Sequence, residues 1–404
     1  MNTRDINQGD RMDLPLRGIR VVELSHMVMG PTCGMILGDL GAEVIKVEPL
    51  KGDSTRRLLG TGAGFFRTFN RNKKSVTLDT ATAEGREALL RLVDTADIFV
   101  ENFKPGRMKD LGVDYASLRE RNPKIIYVSH KGFLNGPYEN RLALDEVVQM
   151  MAGLAYMTGP IGRPLRAGSS VNDIMGGMFG AIGALAALRE RDRTGVGKEV
   201  QSALFENCVL LSAQHMQQYA VTGEPAAPMP ERISAWAVYD VFELAGKEQM
   251  FIAATGDGQW RALCHLIGRQ DLLDDPRLAT NNQRVVARPW LLPALRETLV
   301  NFDAGTLAPQ LEQNHIPFAP ITKPEELFDD PHLKASGGLV PLTVEDGSQT
   351  AMPLLPLSLD GQRLQPRQPI ARIGEHTEEV LRSLGYSDEQ ISALAQTNAE
   401  AASA

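Results

Sequence analysis

Cysteine is scarce in this chain of 404 residues: Cys33, Cys208 and Cys264 stand far apart, odd in number and outside any CxxC or Cys/His grouping. That argues against a disulfide framework and a zinc site, and all three read as small buried hydrophobes, so no metal is expected. Polybasic tracts are missing too. With 42 basic against 50 acidic residues the formal net charge is −8, which tells against a nucleic-acid partner. The first thirteen residues, MNTRDINQGDRMD, are polar and lack the apolar stretch of a secretory signal, so a loose tail and a cytoplasmic location are expected. No apolar run reaches the roughly 20 residues of a membrane span, and no membrane association is expected. A dinucleotide fingerprint is also lacking. The first βα turn reads SHMVMGPTCG, and the glycine-rich GTGAG at 60–64 joins no strand to a helix, so a nicotinamide or flavin enzyme is not expected.

What is present is a strand–helix alternation. GIRVVELS, EVIKVE, SVTLD, DIFVENF and KIIYVSHKGF read as apolar strands, separated by helical stretches such as GPTCGMILGDLGA, TAEGREALLRLVDTA and YASLRERN. This predicts an α/β fold, a parallel sheet covered by helices on both faces. A helix from about residue 202 to 219 leads into the Pro-rich GEPAAPMPER, and AVYDVFEL with QMFIAAT then reads as a hairpin around AGKE. The organisation expected is a tail at 1–13, a large α/β domain at 14–205, a linker at 206–235 and a smaller α+β domain at 236–327. A C-terminal segment, 328–404, returns to the large domain and ends in a helix opened by Ser387 with Gln390 as a capping box.

One carboxylate needs a reason. Asp173 opens the segment VNDIMGGMFGAIGALAAL, and residues 174–188 carry no charge. The run reads as a buried helix with one surface flattened by Gly176, Gly177, Gly180 and Gly183, which puts Asp173 at its N-cap or first turn. Two readings are open on local grounds. A carboxylate there is favoured simply as a cap, by the unpaired amides and the helix dipole; alternatively, the glycine surface admits a bulky ligand, and the acid is a nucleophile.

Other candidates are weaker. Lys73, Lys74, Lys104, Arg107 and Lys109 cluster near predicted strand ends and suit phosphates as well as they suit solvent. The loop TGDGQW at 255–260 lies between a strand and a helix, where amides can cap an oxyanion. His26 and His130 lie near strand ends with no GxSxG-type partner, and each reads first as a packed histidine.

Several segments converge on one family. LRGIRVVELSHMVMGPTCGMILGDLGAEVIKVE, FNRNKKSVTLD, VENFKPGRMKDLG, SHKGF, DEVVQMMAGLAYMTG, the Asp173 segment and GEHTEEVLRSLG together resemble the class III CoA-transferases, the family of formyl-CoA and carnitine CoA-transferases. The resemblance implies a Rossmann-like large domain with a smaller α+β domain, in two ring-like chains interlocked as a homodimer. It implies Asp173 as catalytic nucleophile, acyl-CoA and carboxylate substrates, and no tightly bound cofactor. CoA contacts are implied at Leu78, Asp79, Asn102, Phe103, Lys104, Lys109, Leu144 and Asp145, and a mobile glycine loop at Gly256, Gly258 and Gln259. His26, Val28 and Lys131 are possible substrate-pocket residues. Departures occur at Val28, where the formyl-CoA branch carries glutamine, at Leu144 in place of tyrosine, and near Asp110, where an expected arginine is displaced to Lys109 or Arg107. These tell against formate or oxalate as substrate. A small dicarboxylate is preferred, with Arg163, Arg166 and His26 available to a second carboxylate. The alternatives are an α-methylacyl-CoA racemase, which needs a histidine where Leu144 stands, and a catalytically silent acyl-CoA-binding protein.

Overall fold

Residues 14–394, other than positions 233 and 345, are described by a computed structural model. They form two compact units, 14–226 with 332–394 and 227–331.

The first unit is built on six parallel strands: β1 (Arg20–Leu24), β2 (Glu43–Glu48), β3 (Lys73–Thr77), β4 (Ile98–Glu101), β5 (Ile126–Lys131) and β6 (Glu199–Ala203). Their order is β3-β2-β1-β4-β5-β6, and every pairing is parallel. The order reverses direction between β1 and β4, and ligands of open α/β sheets bind at the carboxyl edge of such a switch point. Five helices position the site: α1 (Met29–Asp39), α2 (Ala83–Asp94), α3 (Asp145–Met151), α4 (Val171–Thr194) and α5 (Leu204–Thr222).

The strands bury apolar residues on both faces because helices cover both. Val22, Ile45 and Phe99 join Leu89 and Leu92 of α2 in one core, while Val21, Val44, Ile98 and Val128 join Leu37 of α1 and Ala181 and Ala184 of α4 in another. Side chains alternate between the two cores along each strand with the period of the pleat. The chain beyond 332 returns to this unit: the His376 amide donates to the Ser75 carbonyl at 2.9 Å, and the Thr77 amide to Thr377 Oγ1 at 3.0 Å. Ser387 and Gln390 exchange the reciprocal bonds of a capping box, at 2.9 and 3.3 Å.

Two expectations need correction. The stretch expected as a linker from 206 begins inside α5, which packs within the first unit against α3 and α4. The Asp173 helix is also longer than its uncharged run: at 24 residues it is long and apolar enough to cross a membrane by length and composition. Its glycine face is nevertheless spent inside the fold. A Cβ on Gly177 would lie 2.6 Å from the Met29 carbonyl oxygen, and one on Gly183 2.4 Å from Val200. Those clearances let α4 approach α1 and the sheet closely.

The second unit holds an antiparallel sheet of β7 (Val238–Glu243), β8 (Gln249–Ala254) and β9 (Phe318–Pro320), with β7 and β8 forming the expected hairpin. The helices Asp257–Leu266 and Asn281–Leu299 supply its core through Trp260, Leu263, Leu291 and Leu295.

Candidate active site

Asp173 lies in the first turn of α4, three residues after the N-cap Ser170, whose side chain makes no capping bond. The cap comes from elsewhere. Asp145, at the start of α3, accepts from the Asn172 amide at 2.8 Å and the Asp173 amide at 3.1 Å through Oδ2. Its Oδ1 accepts from Gln149 Nε2, and Gln149 Oε1 in turn accepts from the Ala167 amide at 2.8 Å. The dipole and amides at the head of α4 are therefore neutralised by Asp145, which leaves the Asp173 side chain free of capping duty.

This changes the electrostatics expected of Asp173. A capping carboxylate is held ionised, whereas burial, reinforced by the Asp145 charge and opposed by Arg166, pushes Asp173 up to about 7. Once ionised, a carboxylate of raised basicity and few hydrogen-bond partners is a stronger nucleophile than an exposed one.

At the carboxyl edge of β1, β2 and β3 lies a cavity of about 590 Å³, walled by Ser25, His26, Leu78, Asp79, Phe103 and Arg107 among others. His26 meets Phe103 ring to ring, with centroids 5.0 Å apart, and burial lowers its pKa, which keeps it neutral near pH 7. Asn102 does not offer its side chain to this space. Its amide group is consumed in clamping His26, accepting from the His26 amide at 2.9 Å and donating to its carbonyl at 2.7 Å. A second cavity of about 450 Å³ is lined by Phe103, Lys104, Lys109, Glu101 and Lys131. Phe103 is thus shared by both, and Lys104, Lys109 and Lys131 come together across the second.

The remaining candidates scatter. Val28 is buried in the core beneath α1, and Leu144 is the exposed N-cap of α3. His130 is packed against Gly180, with its pKa pushed down to about 4 by burial. In the second unit, Gly256 is the N-cap of the Asp257–Leu266 helix and Gly258 faces open space, but Gln259 is committed. Its Oε1 accepts from the Thr255 and Gly256 amides at 3.0 and 3.2 Å, and its Nε2 donates to the His315 carbonyl at 2.8 Å.

Two lysines suggested as phosphate partners are corrected. Lys73 is buried and paired with Glu23 at 2.7 Å, and Lys74 bridges Glu43 and Glu379 at 2.8 and 2.7 Å. Both lie along β3, where their ammonium groups answer carboxylates of the same unit. Among the described residues, no group of three His, Cys, Asp or Glu side chains could hold a metal ion.

Sequence reasoning missed Asp145 as the cap of α4, and Gln149 behind it. The i,i+4 spacing of Asp145 and Gln149 in DEVVQ was the available signal, because it sets both side chains on one face of a helix.

The family model of CoA-transferase family III matches residues 16–377. The chain belongs to this family. The transferase is 35% identical over 384 residues to a succinate–glutarate CoA-transferase of Agrobacterium fabrum, covering 92% of this chain and 96% of that protein. It is 36% identical over 332 residues to a succinyl-CoA:mesaconate CoA-transferase of Haloarcula hispanica, covering 79% and 83%. Its fold matches the crystal structure of a CAIB/BAIF family protein from Brucella suis with a TM-score of 0.82 at 34% identity, over 92% of this chain and 99% of that one. CoA thioesters are the substrates of this family, and the chain is a CoA-transferase.

Proposed function

We propose that this transferase moves CoA from a succinyl-type thioester to a second small dicarboxylic acid, with Asp173 as the nucleophile. The observation that carries the reading is a buried carboxylate of raised basicity at the head of α4, whose capping role is filled by Asp145. The relatives named for succinate, glutarate and mesaconate support the substrate class.

Each step balances. An Asp173 oxygen attacks the thioester carbonyl carbon, the C–S bond breaks and CoA leaves as thiolate, giving a mixed anhydride. The thiolate attacks the aspartyl carbonyl and expels the first carboxylate, leaving an aspartyl-CoA thioester. The acceptor carboxylate attacks that thioester and releases CoA thiolate again. The thiolate then attacks the acceptor's carbonyl in the new anhydride, which frees Asp173.

The cavity at the switch point suits the nucleotide end of CoA, with Leu78 and Phe103 as apolar walls and Lys51 and Arg107 for phosphate oxygens. Lys104, Lys109 and Lys131 in the second cavity supply further cations, while Asn102 serves by holding the His26 backbone. Gly256 and Gly258 remain the candidates for a mobile glycine loop.

Incubation with succinyl-CoA and either glutarate or mesaconate should yield the new thioester together with free succinate. α-Deuterium incorporation from deuterated water into a chiral 2-methylacyl-CoA, with no transfer to free acids, would instead establish the racemase.

The partner we propose is a second copy of this chain, and the location the cytoplasm. The outer face of α4 exposes Met178 (47%) and Ile182 (55%), and Leu210, Met216 and Tyr219 extend the apolar surface along α5. Exposed apolar side chains on these two packed helices support a protein interface there. Sedimentation equilibrium should give twice the chain mass, and a folded, active monomer would defeat this assignment.

A further inference from the structure

The segment between α3 and α4 leads into the helix that carries Asp173 and holds a cation that the four-step exchange does not use. Arg166 pairs with Glu146, donates from Nε to the Ala167 carbonyl at 3.1 Å, and stands next to the residue whose amide is fixed to Gln149. The tether continues from Gln149 to Asp145 and from Asp145 to the Asp173 amide. One run of hydrogen bonds therefore sets the Arg166 backbone relative to the nucleophile.

We propose that Arg166 receives the distal carboxylate of the dicarboxylic substrate, which takes the place of Glu146 on its guanidinium. This rests on the reading of Asp173 as the group that carries CoA.

Three features support the exchange. The Arg166 side chain is 39% exposed and that of Glu146 58%, and an ion pair so exposed is weak enough for an incoming carboxylate to displace. A guanidinium presents parallel N–H donors that match a carboxylate in two-point contact, as a lysine cannot. The Arg166 charge also acts on the Asp173 carboxyl, which places it within electrostatic range of the reacting group.

The test compares succinate with monomethyl succinate as acceptors from one CoA donor, so that any effect on the donor cancels. Replacing a charged two-point contact changes the ratio by roughly 10- to 150-fold, from about 1.5–3 kcal/mol. Wild type should prefer succinate by such a factor, and Arg166→Gln should bring the ratio of kcat/KM values close to one. Arg166→Lys should restore part of the preference. Glu146→Gln, which removes the competing carboxylate, should lower KM for succinate severalfold.

An unchanged ratio in Arg166→Gln would overturn the proposal. So would an equal loss with both acceptors accompanied by a shifted pH limb, because that pattern belongs to a cation that only tunes Asp173. Hydroxylamine trapping at Asp173 in the wild type separates the two levels: if Asp173 is not modified, the nucleophile reading itself falls, whatever the ratio.

Discussion

Asp173→Ala is expected to abolish CoA transfer, by about 10⁴-fold or more, since the proposed role makes it the covalent nucleophile and its loss leaves only the background of binding and orientation. Asp173→Asn separates shape from chemistry: it keeps the volume and loses the attacking oxygen, so it should be equally inactive. In wild type, hydroxylamine should capture the aspartyl thioester at residue 173 during turnover with an acyl-CoA donor, and peptide mapping reads the site. Full activity in either variant would reject the role. Because Asp173 titrates near 7, single-turnover acylation should rise with pH through that value and level off above it. Stability runs the opposite way. A carboxyl whose folded pKa is raised opposes folding when ionised, and the cost is present in full above about 7 and gone below its unfolded value near 4. Asp173→Asn should therefore be more stable than wild type at pH 8, on the order of 4 kcal/mol, with little difference at pH 4.

Glu23→Ala is expected to cost about 3–5 kcal/mol of stability, the typical penalty for stranding a buried charge. Glu23 is fully buried on β1, paired with Lys73 at 2.7 Å and Lys46 at 3.2 Å, and accepts from Ser25 Oγ at 2.8 Å. Removing it leaves two ammonium groups without their shared counter-ion. Lys46 keeps Asp53 at 3.1 Å and the Ser25 carbonyl at 2.7 Å, and Lys73 keeps only neutral acceptors, the Pro31 carbonyl at 2.8 Å and Asn70 Oδ1 at 3.1 Å. Although burial alone would raise the Glu23 pKa, Lys73 and Lys46 hold it below the usual carboxylate range. Its contribution is thus present above pH 4–5 and is lost as acid protonates it in the folded state. Denaturant unfolding of Glu23→Ala against wild type at pH 7 measures the loss, and a change under about 1 kcal/mol would show that the cluster is not held together by this residue. The cluster also forms the floor of the first cavity through Ser25 and Asp53, so KM for acyl-CoA should rise in the same variant.

The parallel sheet was legible because its strands are short apolar runs between helices of clear periodicity, and the order of those runs is the order of β1 to β5. Asp173 was legible as well, as a lone acid before an uncharged stretch. The charged row inside the sheet was not. Glu23, Lys46 and Lys73 stand in strands that look ordinary in sequence, and a lysine between apolar neighbours reads as a solvated edge unless its partner is known. Gly34 carries the missing half of that message. A Cβ there would lie 1.8 Å from Glu23 Oε2, so the glycine makes room in α1 for the buried carboxylate.

The sequence alone determined the fold class, the family resemblance and the position of the acid, because these depend on local pattern and on motifs read in order. Only the tertiary structure decided what holds that acid and sets its charge. The Asp145 carboxylate reaches the head of α4 from a separate helix, 28 residues away in the chain, and takes over the amides that Asp173 was expected to cap. Burial and the Asp145 charge then raise the Asp173 pKa instead of lowering it. Desolvation and Coulomb interaction depend on distances in space, and those distances exist only once the helices have packed.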